Sequence, residues 1–549
     1  MLFKTKLVSS LEKVFCDAEL KSPEFKYASA LRGEVFAFQV AFWGDTIIKN
    51  IKFEMESEIS KLISIRSVGY VPCDYVGASF DDNVLRKTAG LYPDPLYPAE
   101  GVINALPFQW RALWITVRIP EKCKAGKYDI TVSFLRNIAD QPESCIDCRE
   151  TFSLEILPVT LPKQQLLHTE WFHTDCIASY YQTECWSEKH WELIGKYAAN
   201  AAAHGINMLL TPLWTPPLDT MIDGERPTTQ LLIIEKKGSK YIFDFSRLKR
   251  WLDICLSAGI EYFEMSHFFT QWGAKFTPKI VVNENGAEKK LFGWHVSASD
   301  PEYENFLSQL MPQLLKLLRH KELDGKCFFH VSDEPSMENI EQYSQAAALV
   351  NNLVEDFPLI DALSNVDFYK RGIIKNPIPA NNHIEPFVEA GVKPLWTYYC
   401  CGQSNKVSNR FFHFPSARNR IMGMLMFKYD IYGFLQWGFN FWFSQYSLDQ
   451  KLDPFRVTDA GQAFQGGDAF MVYPGEDGPI DSLKYEVFME GLQDMRALRL
   501  LEEKIGRDAT VKLLEDGLDC QLKMDCYPGE AAWLLARREK INQKLASLV

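Results

Sequence analysis

Near residue 163 the chain changes the spacing of its apolar residues, and that change limits what it can fold into more than any other feature. Before it the period is two. In Leu113-Trp114-Ile115-Thr116-Val117-Arg118-Ile119 the odd positions are apolar, while Thr116 and Arg118 take the other face. After Lys124-Ala125-Gly126-Lys127, Tyr128, Ile130, Val132 and Phe134 alternate with Asp129, Thr131 and Ser133. Successive side chains on a strand point to opposite faces, so the two runs predict an antiparallel hairpin with one buried face. Glu34–Trp43, Leu62–Cys73 and Thr151–Leu157 read as further strands, and helical spacing is scarce before Leu161. A β-sandwich over residues 1–163 is the economical outcome. It is closed by Leu157-Pro158-Val159-Thr160-Leu161-Pro162, whose prolines end ladder pairing.

After Lys163 short apolar strands alternate with amphipathic helices. The strands read are Leu166–His173, Asn207–Trp214, Glu261–Phe269, Cys327–Asp333, Leu359–Ser364, Pro377–Asn381, Lys393–Tyr399 and Gly433–Trp442. Ser187–His204, Ser246–Ala258, Pro301–His320, Glu338–Asp356 and Ser416–Tyr429 read as helices. Eight strands with intervening helices match a TIM (β/α)8 barrel, distorted because the sixth strand is short. The predicted chain is therefore multidomain, all-β followed by α/β. The sandwich is followed by a barrel over 164–500 and a C-terminal helical tail over 501–549.

Composition narrows the partners. With 59 Lys plus Arg against 71 Asp plus Glu, the net charge is −12. An acidic surface repels phosphate backbones, which argues against nucleic acid as a partner. The segment MLFKTKLVSSLEKVFCDAEL has no continuous apolar core of a secretory signal, and no run of about 18 apolar residues predicts a membrane span. The 13 cysteines are scattered, with Cys145-x-x-Cys148 the one close pair. These features lead to the expectation of a reduced, cytoplasmic protein without metal or other cofactor.

In such a barrel the C-terminal ends of the strands carry the chemistry. Those ends hold Trp171 and His173, Trp214, His267, Trp396 and Tyr398, and Trp437 and Asn440. Aromatic faces stack on the C–H side of a pyranose and polar groups bind its hydroxyls, so the set suggests a saccharide pocket. The fourth strand ends in His330-Val331-Ser332-Asp333-Glu334-Pro335. Neighbours on a strand face apart, so both acids reach one ligand only where the strand breaks. Pro335 supplies the break and is expected to hold Glu334 extended. Close carboxylates disfavour each other's ionisation, which lifts one toward general-acid range. A plainer alternative has Asp333 capping the helix that Pro335 starts. His330 reads as a packed core histidine, and no HxH or HxxxH spacing supports a metal.

The segment His330–Pro335 resembles the acidic-pair motif of glycoside hydrolase family 123. Gly90-Leu91-Tyr92-Pro93-Asp94-Pro95-Leu96 resembles that family's Pro-Asp-Pro-Leu element, and Trp396-Thr397-Tyr398 its Trp-x-Tyr. Gly467-Asp468 through Tyr473-Pro474-Gly475, followed by Glu490-Gly491-Leu492-Gln493-Asp494, resembles its closing signature. The resemblance implies a sandwich, a (β/α)8 catalytic domain and retaining exo-hydrolysis of a terminal β-linked N-acetylhexosamine, N-acetylgalactosamine above all, from an oligosaccharide or glycoside. By that likeness Glu334 is acid and then base, and Asp333 holds the 2-acetamido N–H whose carbonyl attacks. Tyr398 donates to the acetamido oxygen, and Trp396 and Trp437 wall its methyl. Two alternatives stand beside it. One is a catalytically silent carbohydrate-binding protein; the other is a glycosidase for a different sugar that uses Glu170, Asp175 or Glu264.

Overall fold

The computed structural model describes residues 2–136, 145–218, 221–444 and 452–549. The first part is two five-stranded sheets. One runs in the order Phe3–Ser9, Val35–Gly44, Trp110–Arg118, Ile63–Cys73, Gly90–Pro98; the other runs Tyr27–Arg32, Cys145–Thr160, Gly126–Arg136, Ile48–Glu56, Val102–Ala105. Trp110–Arg118 and Gly126–Arg136 therefore lie in opposite sheets, which corrects the expected hairpin. Their apolar faces meet across the sandwich instead: Leu113, Ile115 and Val117 share one core with Ile130, Val132 and Phe134. Two alternating runs satisfy their period equally well edge to edge or face to face, and only the partners decide. The closing motif also behaves differently. The Cys145–Thr160 strand continues past Pro158 by slipping register, and Thr160 pairs with Arg32.

The second face of the first sheet is buried too. Trp114 and Thr116 are fully enclosed, and Ala37, Ala41, Val68, Tyr92 and Trp114 join the large core of the α/β region. The α/β region packs on that face, so a pattern that predicts one wet face underestimates the burial.

In the α/β region eight short strands follow in chain order: β1 (Leu167–Glu170), β2 (Met208–Thr211), β3 (Tyr262–Met265), β4 (Cys327–Phe328), β5 (Ile360–Ala362), β6 (Asn376–Ile378), β7 (Trp396–Tyr398) and β8 (Gly433–Gln436). Six of them form one parallel sheet in the order β4-β3-β2-β1-β8-β7, while β5 and β6 form a separate two-stranded ladder. Single parallel bridges, Phe329 with Leu359 and Ala380 with Tyr398, join the pair to β4 and β7. The helices Glu188–Ala203, Ser246–Ala258, Pro301–His320 and Ile340–Val354 lie close to their expected positions. Two insertions, after β2 and after β3, each fold as a hairpin and pair together as a four-stranded sheet.

A long helix, Leu483–Ile505, ends the region, and Arg507–Glu515 and Ala531–Ala546 follow it. Its Gly491 lies so close to Gly423 that a Cβ on Gly423 would sit 1.8 Å from the Gly491 carbonyl oxygen. The last helix returns to the sandwich, where Ser29 donates to Glu539 (2.7 Å) and Arg538 reaches Glu34 (2.7 Å).

Candidate active site

The chain after β4 leaves the sheet at its C-terminal end. Phe268 N donates to His330 O, Phe269 N to Val331 O and Ser332 Oγ to Thr270 O, so the loops after β3 and β4 run side by side. Trp272 N then donates to Asp333 O (2.8 Å). Glu334 follows with φ +43°, a left-handed conformation rather than the extended one its proline suggested. Few non-glycine residues sit there, and those that do cluster at functional sites. Glu334 N bonds to Ala362 O at the end of β5 (3.1 Å), and the Tyr398 hydroxyl at the end of β7 donates to Glu334 Oε1 (2.6 Å). Three strand ends thus converge on one residue, with the tyrosine alone on its carboxylate. Asp333 and Glu334 are both half-buried. The next helical turn begins at Met337 with Ser336 before it, so Asp333 is not its cap. Burial first, and then the Glu334 charge, push the Tyr398 phenol well up, so it stays a donor at any working pH.

Beneath this turn lies a closed polar network. His330 is fully buried, with Nδ1 3.1 Å from Asp361 and Nε2 2.6 Å from Glu264. Burial opposes its charge, but Glu264 and Asp361 prevail and lift its pKa to about 9. Glu264 also accepts from the Thr169 hydroxyl and from Trp171 Nε1 (2.7 Å). Asp361, its carboxyl raised by burial, accepts from Val331 N (3.0 Å) and the Tyr343 hydroxyl. Where the sheet breaks between β4 and β5, a side chain thus replaces part of the ladder. His267 stacks on His330 with centroids 4.1 Å apart, and its two ring nitrogens have no hydrogen-bond partner among the described residues. Burial, followed by the charge of His330, drives its pKa well down.

The other expected residues are placed as follows. His173 Nε2 lies 3.0 Å from the Trp437 carbonyl and Nδ1 2.9 Å from Arg226; burial and that arginine lower its pKa to about 3. Asn440 clasps the His173 backbone through both N (2.8 Å) and O (3.0 Å). Trp437 Nε1 donates to Asp468 (3.1 Å), whose pKa burial lifts to about 7. Trp214 donates to the His267 carbonyl (2.9 Å). Trp396 packs edge-on against Phe328 and Tyr432, residues of β4 and of the approach to β8. Of the alternative acids, Glu170 pairs with Arg410 (3.3 Å), Asp175 with Arg226 (2.7 Å) and Glu264 with His330, all buried. Cys145 of the close cysteine pair lies outside the described side chains, and Cys148 Sγ contacts the Phe3 carbonyl at 3.7 Å.

Sequence reasoning missed the Glu264–His330–Asp361–Tyr343 network and Trp272. The former joins residues far apart in the chain, and the latter stands in an insertion without periodicity. Among the described residues two groups carry donor atoms close enough for a metal: His267, His330 and Asp361, and His204, Asp481 and Glu486. In the first, His330 is already held by two carboxylates. In the second, Glu486 is bound to Arg66 (2.5 Å).

The remaining motifs lie at the seam between the two regions. Buried Asp94 accepts from the Tyr473 hydroxyl (2.6 Å) and Lys484 (2.5 Å), and Gln493 bonds both Val35 N (2.7 Å) and O (2.9 Å). Asp494 binds Arg420 (2.8 Å) and Arg538 (2.7 Å).

The chain thus has two regions, and strand ends that bring a strained acid to a tyrosine; comparison with known sequences gives its class. The glycoside hydrolase 123 catalytic domain matches residues 171–501 and the glycoside hydrolase 123 N-terminal domain residues 17–135. The chain belongs to glycoside hydrolase family 123. Among solved structures, a family 123 glycoside hydrolase from Clostridium perfringens, studied for glycolipid glycan hydrolysis, superposes with a TM-score of 0.76 at 16% identity, covering 100% of both chains. A cohesin from Pseudobacteroides cellulosolvens covers 25% of this chain and 91% of its own at 15% identity, with a TM-score of 0.14. No curated protein matches. No helix among the described residues is long and apolar enough to cross a membrane.

Proposed function

We propose that this glycoside hydrolase is a retaining exo-enzyme that releases a terminal β-linked N-acetylhexosamine, N-acetylgalactosamine foremost, by substrate assistance. The observation that carries the reading is the Tyr398 hydroxyl 2.6 Å from Glu334 Oε1, on the turn that directly follows Asp333. In the first step Asp333 accepts from the 2-acetamido N–H, and the acetamido oxygen attacks the anomeric carbon. Glu334 donates its proton to the glycosidic oxygen as the C–O bond breaks. In the second step Glu334 takes a proton from water, which opens the cyclised intermediate at the same carbon. Two inversions leave the configuration retained, with the substrate supplying the nucleophile. We take Tyr398, Trp171, His267 and Trp437 as the groups nearest the sugar, and His173, Trp214, Asn440 and Trp396 as framing them.

The same reading takes β1–β8 as one distorted (β/α)8 barrel over 164–500, between a sandwich over 1–163 and a tail over 501–549. The two single bridges that attach β5 and β6 to their neighbours support it. Release of nitrophenol from the β-GalNAc, β-GlcNAc and β-Gal glycosides tests the chemistry. Cleavage of the galactoside as fast as the N-acetylgalactosaminide rules out assistance, and Asp333→Asn should harm the acetamido substrates most. Binding of N-acetylgalactosamine without turnover of any glycoside would favour a silent binding protein.

A further inference from the structure

Trp272 is 43% exposed, and no stacking partner or hydrogen bond of its indole occurs among the described residues. Its backbone is nevertheless fixed on both sides. Trp272 N donates to Asp333 O (2.8 Å), and its carbonyl accepts from Asn339 Nδ2 (3.2 Å). Residues 272, 273 and 274 all have positive φ, of 60°, 114° and 56°. A Cβ on Gly273 would sit 2.6–2.8 Å from Asn339 atoms, so the turn needs glycine there. Water-exposed tryptophan on a strained, doubly anchored turn is an arrangement that packing does not ask for. The paired loops after β3 and β4 set it level with Asp333.

We infer that Trp272 is the stacking platform for the sugar on the leaving-group side of the scissile bond. The inference rests on Asp333 and Glu334 holding the terminal sugar. An exo-acting site encloses that sugar, so a rim aromatic beside Asp333 meets only the unit that follows it. An indole face suits the C–H side of a pyranose, and its rigid anchoring lowers the ordering cost of binding.

The test compares wild type with Trp272→Ala and Trp272→Phe on an N-acetylgalactosaminyl-β-galactose disaccharide and on N-acetylgalactosamine-thiazoline, which has no leaving group. Trp272→Ala should raise the disaccharide KM about 3- to 10-fold, the worth of one aromatic stacking contact. The thiazoline inhibition constant should stay put, and Trp272→Phe should restore most of the loss. An unchanged disaccharide KM, or an equal loss on the thiazoline, overturns the platform. Calorimetric titration with the disaccharide separates this from the hydrolysis itself. Binding weakened by Trp272→Ala but without turnover in wild type keeps the platform and overturns the proposed reaction; neither binding nor turnover overturns both.

Discussion

The turn at Asp333–Glu334 and the seam around Asp94, Lys484 and Asp494 are built from motifs of the same family, yet they are put together in opposite ways. At the turn the carboxylates are half-buried and the backbone of Glu334 is strained. At the seam Asp94, Lys484, Gln493 and Asp494 are buried and each is paired. Buried charges that are fully paired specify how two regions dock, and removing one partner strands the other. A strained backbone at a half-buried acid costs stability, and such strain gathers at functional sites. Motifs of one family thus serve two structural ends here, a strained turn at the strand ends and a buried, paired seam between the regions.

That contrast can be broken most easily at its two poles. Glu334→Gln should lower kcat on an aryl β-N-acetylgalactosaminide about 10²–10⁴-fold, with the unfolding midpoint near wild type, since Gln keeps the shape and still accepts from Tyr398. Asp494→Ala should do the reverse, costing about 3–5 kcal/mol in denaturant unfolding while the folded protein keeps its kcat. Equal losses of stability in both would erase the distinction. Tyr398→Phe should come next, reducing kcat about 3- to 10-fold by removing the hydrogen bond that holds Glu334 Oε1.

The buried network between the poles should respond to pH. His330 has a reference pKa of 6.5 and about 9 in the fold, so it binds a proton more tightly when folded. Its contribution is complete below pH 6.5 and is lost as pH rises through about 9. The stability gap between wild type and Glu264→Gln should be about 1.5–3 kcal/mol in acid and shrink across that window. A gap that ignores pH would mean that the pair shares no proton. Least of all, Trp396→Phe should leave KM within about twofold, since a residue that binds neither ground nor transition state changes neither constant.

The helices Ser246–Ala258 and Pro301–His320 and the approximate positions of all eight parallel strands were legible, because apolar spacing encodes them. The strand before the acidic pair was legible too, but it ends at Phe328 rather than at the proline. What spacing does not carry is the choice of partner. Trp110–Arg118 and Gly126–Arg136 have alternation fit for a hairpin, yet they face each other from opposite sheets. Nothing near His330 announces Glu264 or Asp361, and the left-handed Glu334 depends on anchors at Ala362 and Tyr398. Trp396 and Tyr398 lie two residues apart on one strand, but only the tyrosine reaches the acid.

The helix Ala531–Ala546 binds Ser29 and Glu34 through Glu539, Asn542 and Arg538. During synthesis those early residues wait for partners made some 500 positions later. The sandwich can collapse on its own inner core as it emerges, but the docking groups beside it stay wet until the helix Ala531–Ala546 has been made. Docking of the two regions is thereby completed by a clasp whose two halves lie some 500 positions apart.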